Sequence, residues 1–388
     1  MKRLFLIAGE PSGDRLGAAL MAGLKSLTPV EFHGIGGPLM QAEGMASLFP
    51  IDELSVMGIA EVLPKYAALK RRIRQAAAAA IALNPDALIT IDSPDFCLRV
   101  AGLVKAANSG LRTIHYVAPS VWAWRPGRAA KMAKVVDHVM ALLPFEPPYM
   151  TAEGMSCDFV GHPVVAEPLA TPAERSLMGG PIPLILALPG SRKGEVTRLA
   201  PVLGQVLARI KLAHPQARVA LPTVSGVAGL VRDLTANWPI QPMIIEDATL
   251  KRAAFASAAV AIAASGTVSL ELAANHVPMV IAYDLHPLTL FLMRRAALID
   301  TVTLVNLVSG SRVVPEFIGA RCTADLIAPA VLALLANGHA QDAAMALTMQ
   351  RLGQGGEAPG LRAARSVLAQ LLPIKTAEKS EYQVKIDN

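Results

Sequence analysis

Asp92 is the first residue of this chain whose setting suggests chemistry. It directly follows the apolar run Ala87–Ile91 in the segment Asp92-Ser93-Pro94-Asp95-Phe96. A carboxylate at the carboxyl end of a buried strand can take a proton from a substrate hydroxyl, which makes Asp92 the general-base candidate. Asp95, between a proline and a phenylalanine, suits a cap on the following turn equally well. In Leu188-Pro189-Gly190-Ser191-Arg192-Lys193-Gly194-Glu195 an apolar run meets a glycine loop and then two adjacent cations. Cations at a helix N-terminus oppose the helix dipole unless something anionic binds there, so a phosphate is expected beside Gly190 and Ser191. Arg192 is its preferred ligand because a guanidinium can grip two oxygens at once.

Three further segments share this form. Ser265-Gly266-Thr267, after the run Val260–Ala263, can offer hydroxyl and backbone donors to a diphosphate. Glu271, about one helical turn on, can accept both hydroxyls of a ribose, although an ordinary capping box explains the same pattern. Gly9-Glu10-Pro11-Ser12-Gly13-Asp14 separates a first apolar run from a helical stretch that starts near Leu16. Its small residues let backbone N–H groups approach an anion, but it has neither the G-x-G-x-x-G spacing nor the G-K-[ST] ending of the familiar phosphate loops. A tight turn with an Asp or Ser cap is the alternative. The run from His115 to Arg125 holds two of the chain's three tryptophans, and Trp124 with Arg125 suits a sugar or a phosphate. Packing of the tryptophans and a core role for His115 account for it as well.

These segments need strands that stop and helices that start. Short β-rich apolar runs alternate with longer Ala/Leu-rich stretches, the pattern of βα units around parallel sheets. The expected strands are Leu4–Ala8, Ala87–Ile91, Thr113–Val117, His138–Leu142 and Asp158–Val160, then Leu184–Leu188, Arg218–Leu221, Met243–Ile245, Val260–Ala263 and Met279–Ala282. Gly161-His162-Pro163 and the segment Gly179-Gly180-Pro181-Ile182-Pro183 interrupt the two sets. The pattern predicts an α/β protein with an N-terminal domain over 1–165 and a C-terminal domain over 166–352. The remainder, 353–388, is expected to supply a linker, a last helix over Leu361–Leu372 that packs back on the first domain, and a polar tail. Doubly wound domains bind ligands at the carboxyl ends of their strands, so a cleft lined by both sheets is the expected site.

With 388 residues, 53% of them hydrophobic and 17% charged, the chain can bury a large core. The net charge of +6 favours an anionic partner. Aromatics are only 4%, and no basic run is interleaved with them, which argues against a single-stranded nucleic-acid platform. The cysteines, Cys97, Cys157 and Cys322, are odd in number and lack C-x-x-C spacing, so neither a disulfide framework nor a zinc site is expected. The apolar run after Met1-Lys2-Arg3 is too short for a signal peptide and reads as a strand. Between Glu61 and Arg74, Val62, Tyr66, Leu69 and Ile73 follow helical spacing while Lys65, Lys70, Arg71, Arg72 and Arg74 crowd the same segment. Such a helix can lie on an anionic membrane or pack on its own protein.

Taken together, GEPSGD at 9–14, MGIAEVLP at 57–64, DSPDF at 92–96, HYVAPSVWAWRPGR at 115–128 and LPFE at 143–146 resemble the lipid-A-disaccharide synthase family. The resemblance continues through VGHP at 160–163, LPGSRKGEV at 188–196, SGTVSLE at 265–271, NLVSG at 306–310 and VPEFI at 314–318. It implies the GT-B fold, two facing Rossmann-like doubly wound domains with parallel sheets. It also implies transfer of 2,3-diacylglucosamine from its UDP derivative to the 6-hydroxyl of 2,3-diacylglucosamine 1-phosphate, by inverting single displacement and without metal or other cofactor. On that resemblance Asp92 and Arg192 are catalytic, and Ser265, Gly266, Thr267, Glu271 and Asn306 hold UDP. Glu10, Ser12 and Gly13 line the acceptor side with Trp124 and Arg125. Lipid substrates give the basic stripe a reason to meet the anionic inner membrane from the cytoplasmic face, with Met57, Ile59, Val62 and Leu63 beside Lys70, Arg71 and Arg72. An oligomer is compatible with all of this. Tyr283-Asp284 departs from the family, where a cation often follows this tyrosine, so Asp284 receives no role.

Overall fold

The computed structural model describes residues 1–54, 59–180, 182–285 and 295–372, with the side chains of 59–66 left aside. The strands are β1 (Lys2–Ala8), β2 (Val30–Ile35), β3 (Ala46–Ser47), β4 (Ala87–Ile91), β5 (Arg112–Tyr116), β6 (His138–Ala141) and β7 (Ser156–Phe159). A second set follows: β8 (Leu184–Leu188), β9 (Arg218–Pro222), β10 (Pro242–Ile245), β11 (Val260–Ala263), β12 (Met279–Tyr283) and β13 (Glu316–Ile318). They form a seven-stranded sheet in the order β3-β2-β1-β4-β5-β6-β7 and a six-stranded sheet in the order β10-β9-β8-β11-β12-β13. β1 pairs in parallel with both β2 and β4, and β8 with both β9 and β11. Each sheet is therefore doubly wound, with its order reversing at β1/β4 in the first and β8/β11 in the second.

The strands are continuous apolar runs because both of their faces are covered. In the second sheet Leu184, Leu186 and Leu188 belong to one buried cluster and Ile185 and Ala187 to another. Ala261 and Ala263 alternate with Val260 and Ile262 in the same way. The interruption between the sheets runs from the end of β7 at Phe159 to Leu184. By density of contacts the chain divides differently. Of the described residues, one compact unit comprises those within Met1–His115, Val136–His138 and 363–372; the other comprises those within Tyr116–Val135 and Val139–Arg362. The part of the helix Pro359–Gln370 that belongs to the first unit buries Ala363, Ala364 and Val367, and its Ser366 Oγ lies 2.8 Å from His138 Nε2.

Three strands, β2, β3 and β13, were not among those expected. Glu31, His33 and Gly34 break the apolar run in β2, while β3 and β13 have only two and three residues. The strand expected over Asp158–Val160 lies earlier, at Ser156–Phe159. The first long helix starts at Pro11 rather than near Leu16. Proline suits a first helical position, since its fixed φ is already helical and that N–H would have no intrahelical acceptor. Glu10 is the N-cap residue but makes no side-chain capping bond.

Asp14 does not cap its own helix either. It is buried, and its carboxylate accepts hydrogen bonds from the backbone N–H groups of Gly37 (2.8 Å), Leu39 (3.0 Å) and Met40 (3.0 Å). It thus caps the short helix Pro38–Ala42 that follows β2. Truncation leaves three backbone donors short of an acceptor, so Asp14→Ala is expected to lower the unfolding free energy by about 3 kcal/mol, measured by urea denaturation. A midpoint equal to wild type would show that the cap contributes nothing.

Candidate active site

The proposed reactive residues lie at the strand ends flanking the order reversals. In the first sheet, β1 ends at Ala8 and β4 at Ile91, and these two residues are register partners. The turns that follow carry Gly9–Glu10 and Asp92–Ser93, and Ser12 lies in the first turn of the helix that begins at Pro11. Gly9 must be glycine here: a Cβ would come within 2.5 Å of Ser93 Oγ. Asp92 and Ser93 take positive φ angles of 52° and 43°, a left-handed pair that costs about 1–2 kcal/mol per residue without glycine. Such strain persists where surrounding structure imposes it, and it clusters at functional sites. The Ser93 N–H donates to Asp92 Oδ1 at 2.9 Å, and Ser93 Oγ reaches Glu10 Oε1 at 3.5 Å. Asp92 is half-buried and Ser12 exposed, whereas Gly13 is buried with the Ile91 carbonyl against it. Beneath the turn, burial and then the charges of Asp92 and Glu10 push the Cys97 thiol well above its usual range, so it stays protonated.

In the second sheet, Leu188 and Ala263 are register partners. After Leu188 the backbone turns at Gly190, where φ is +107° and a Cβ would fall 2.4 Å from Glu195 Oε2. Glu195 accounts for the glycine and also partners one of the two cations, Arg192. Glu195 Oε2 accepts from the N–H groups of Ser191 (3.2 Å) and Arg192 (3.4 Å), and its Oε1 pairs with Arg192 Nη1 at 2.9 Å. The chain itself thus supplies an anion at this helix start, paired with Arg192. Arg192 nevertheless keeps 65% of its side chain exposed. Burial and then the Glu195 carboxylate raise the Tyr283 phenol at the end of β12.

Ser265 is half-buried with its hydroxyl 3.3 Å from the Val302 carbonyl, while Gly266 and Thr267 are exposed. Glu271 pairs with Lys251 Nζ at 2.5 Å, so a ribose would have to share or displace that cation. Asn306 departs most from expectation. It is buried, its Nδ2 donates to Thr301 Oγ1 (3.1 Å) and the Val314 carbonyl (3.0 Å), and its Oδ1 accepts from the Val314 N–H (3.1 Å). Its amide therefore ties two chain segments together. Glu316 does the same for residues 301–303, accepting from the N–H groups of Val302 (3.0 Å) and Thr303 (2.8 Å). Beside Ser265 and Asn306 opens a cavity of about 660 Å3, lined also by Tyr283, Arg312, Phe317 and Arg321. It lies at the carboxyl ends of β11, β12 and β13, where an α/β sheet takes its ligand.

The run from His115 to Arg125 divides into core and surface. His115 is buried against Thr90 Oγ1 at 2.7 Å, and burial pushes its ring down to about 4, so it is a neutral core residue. Arg125, exposed at φ +52°, stacks its guanidinium 4.2 Å from the Trp124 ring. The Trp122 indole donates to buried Glu146 (3.1 Å), whose carboxyl burial raises to about 7. His162, in the VGHP motif, caps the 3-10 turn Pro163–Ala166 by accepting from the Val164 N–H at 3.2 Å.

The basic stripe lies on the helix Ile59–Leu83. Met57 falls outside the described residues, as do the side chains of Ile59, Val62 and Leu63. Lys70 and Arg71 are exposed, but Arg72 turns to its own protein. It meets Glu53 through two hydrogen bonds, of 2.7 and 2.6 Å, and stacks 4.5 Å over Phe49. Among the described residues no helix is long and apolar enough to cross a membrane, and no group of three or more His, Cys, Asp or Glu is placed to hold a metal ion.

Comparison with solved structures establishes the fold. A UDP-GlcNAc 2-epimerase from Neisseria meningitidis superposes with a TM-score of 0.64 at 11% identity, covering 96% of this chain and 99% of that one. The calicheamicin glycosyltransferase CalG4 gives 0.59 at 15% identity, covering 96% and 98%. This is the GT-B fold, and because an epimerase and a transferase share it, the fold alone does not choose the reaction. Sequence does. The family model described as lipid-A-disaccharide synthetase matches residues 4–369. The lipid-A-disaccharide synthase of Ruegeria pomeroyi is 60% identical over 385 residues, 96% of each chain. The chain belongs to the lipid-A-disaccharide synthase family.

Membership makes it a glycosyltransferase of lipid A biosynthesis and gives its ordered motifs a common context. Within them, sequence reasoning passed over three of the acids that brace the loops, Glu146, Glu195 and Glu316, and offered Asp14 only as a cap on its own turn. Glu146 alone gave a signal, an acid in the otherwise apolar run Leu142-Leu143-Pro144-Phe145-Glu146-Pro147 with no cation beside it. The geometry of Asn306 yields a test. Asn306→Ala is expected to lower the unfolding free energy by about 2–3 kcal/mol without ligand, because it strands buried partners. Unchanged ligand-free stability would return Asn306 to a role in ligand binding alone.

Proposed function

We propose that the chain transfers 2,3-diacylglucosamine from its UDP derivative to the 6-hydroxyl of 2,3-diacylglucosamine 1-phosphate. The products are the β(1→6) tetraacyl disaccharide 1-phosphate and UDP. The observation that carries this reading is the family match from residue 4 to residue 369. The acceptor oxygen attacks the anomeric carbon while the bond to the diphosphate breaks, so a single displacement inverts that centre. Asp92 takes the proton from the attacking hydroxyl. Its place on a strained turn at the end of β4 supports that role, because the turn fixes a half-buried carboxylate at a strand end.

Arg192 offsets the charge that develops on the departing diphosphate, and the hydroxyls and N–H groups of Ser265–Thr267 add donors. Its exposed guanidinium leaves Glu195 for the phosphate in this step. With these groups the reaction needs no metal or other cofactor. Glu271 takes the ribose in competition with Lys251. Glu10, Ser12, Trp124 and Arg125 serve the acceptor. Both substrates carry acyl chains, so the enzyme works at the anionic inner-membrane surface on its cytoplasmic face, with Lys70 and Arg71 as the charged contacts. Arg72 is withdrawn from that set by its bond to Glu53.

Asp92→Ala should reduce disaccharide formation by about 100- to 10,000-fold while the Kd for UDP, measured by calorimetry, stays near wild type. Turnover at the wild-type rate would remove Asp92 from the base role. Reversing both Lys70 and Arg71 to Glu, with Arg72 intact to preserve the fold, should weaken co-sedimentation with anionic phospholipid vesicles by at least about tenfold. Equal binding by this variant and wild type would assign the stripe to the protein's own surface.

A further inference from the structure

Glu146 is a buried acid that the transfer chemistry leaves without a role. Only 4% of it is exposed, and among the described residues it pairs with no cation. Its two oxygens are divided between two loops. Oε2 accepts from the Leu143 N–H at 3.0 Å, closing the turn that follows β6, and Oε1 accepts from Trp122 Nε1 at 3.1 Å in the loop that follows β5. The preceding residue, Phe145, meets the Trp122 ring edge-on, with centroids 5.2 Å apart and planes at 89°. Trp122 is therefore fixed both at its N–H and across its ring.

The loop it anchors is strained at both ends. Val117 has φ +85° and Arg125 φ +52°. For a β-branched residue such an angle is a genuine outlier, and it survives only where neighbours impose it. Three ties do so: the Val117 N–H donates to the Met140 carbonyl (3.0 Å), the Leu298 N–H to the Ala123 carbonyl (2.9 Å), and Trp122 to Glu146. At the loop's end, the exposed Arg125 is stacked on Trp124. A guanidinium held by stacking has already lost part of its rotamer freedom and can present its donors to a phosphate at a lower entropic cost.

We infer that Glu146 is a positioning residue for acceptor recognition: by holding the Trp122 indole it sets the 117–125 loop so that Trp124 and Arg125 receive the phosphate-bearing sugar of the acceptor. The inference rests on the acceptor proposed above. Between Glu146 and Trp122 the coupling runs through the indole N–H and Oε1, so loss of either group removes the same bond between the two loops.

The full chain is titrated with 2,3-diacylglucosamine 1-phosphate in detergent micelles by calorimetry, and initial rates are measured with each substrate varied. Glu146→Ala should raise the acceptor Kd and KM about tenfold and leave the donor KM within about twofold. Trp122→Phe, which keeps a ring but loses the N–H, should match it, and the double variant should be no worse than either single one. Glu146→Gln keeps one acceptor oxygen for the indole while its NH2 loses the Leu143 bond, so it should recover part of the affinity that Glu146→Ala loses. Arg125→Ala should bind phosphorylated and dephosphorylated acceptor alike. A merely structural role would raise donor and acceptor KM together, and that result overturns the inference, as do additive single effects. Should Glu146→Ala fail to fold, Trp122→Phe and Glu146→Gln decide the matter. A wild type that binds acceptor but forms no disaccharide refutes the proposed transfer, with the binding comparison still intact. One that does not bind the phosphorylated acceptor overturns the inference itself.

Discussion

Parallel strands covered on both faces have little room for polar side chains along their length, and the arrangement of this protein follows from that constraint. β4 and β8 are buried at every residue, as is β11. Charged and hydroxyl groups are displaced to the turns beyond the strand carboxyl ends, where helices begin and backbone N–H groups lack partners. Asp92, Arg192 and Ser265 all occupy such turns. The order reversals at β1/β4 and β8/β11 add the second part of the constraint, because the helices that leave neighbouring strands there go to opposite faces and leave room for a ligand.

Those turns would be loose without anchors, and the anchors are acids. Asp14 gathers three backbone donors of a short helix, Glu195 closes the Gly190 turn, and Glu316 fastens residues 301–303. Glu146 joins two loops through a side-chain donor instead. A carboxylate is well suited to this work because each oxygen can accept more than one hydrogen bond, and charge-assisted bonds are stronger than neutral ones. Glu195 also alters how Arg192 is understood. Its guanidinium is in an ion pair with its own helix, so the proposed phosphate would have to compete for it.

The same competition recurs at Glu271, which Lys251 already holds. In both places a ligand of the proposed kind would exchange one charged partner for another. The net gain in binding is then smaller than the direct contact suggests, since the displaced partner must be resolvated or repaired elsewhere. Asn306 stands apart, because its amide is already committed to Thr301 and Val314.

Sequence by itself determined the βα alternation, ten of the strands to within two residues, and the turns that carry Asp92, Arg192 and Ser265. Apolar runs and Gly/Pro breaks are local signals, and a strand covered on both faces displays them in full. β2 escaped notice because Glu31, His33 and Gly34 interrupt its run, and β3 and β13 because a strand of two or three residues has no period to detect. The ordered motifs also disclosed the family, since their joint spacing is far more specific than any one of them. Tertiary structure alone decided which strands are neighbours, and so that Gly9 and Ser93 share one turn pair while Gly190 and Ser265 share another. It alone decided the partners of the acids: Asp14 reaches residues 37–40, Glu146 reaches Trp122, and Arg72 bonds Glu53. Such pairings depend on where distant segments meet, and side-chain type fixes only what a residue can bond, not what will be within reach.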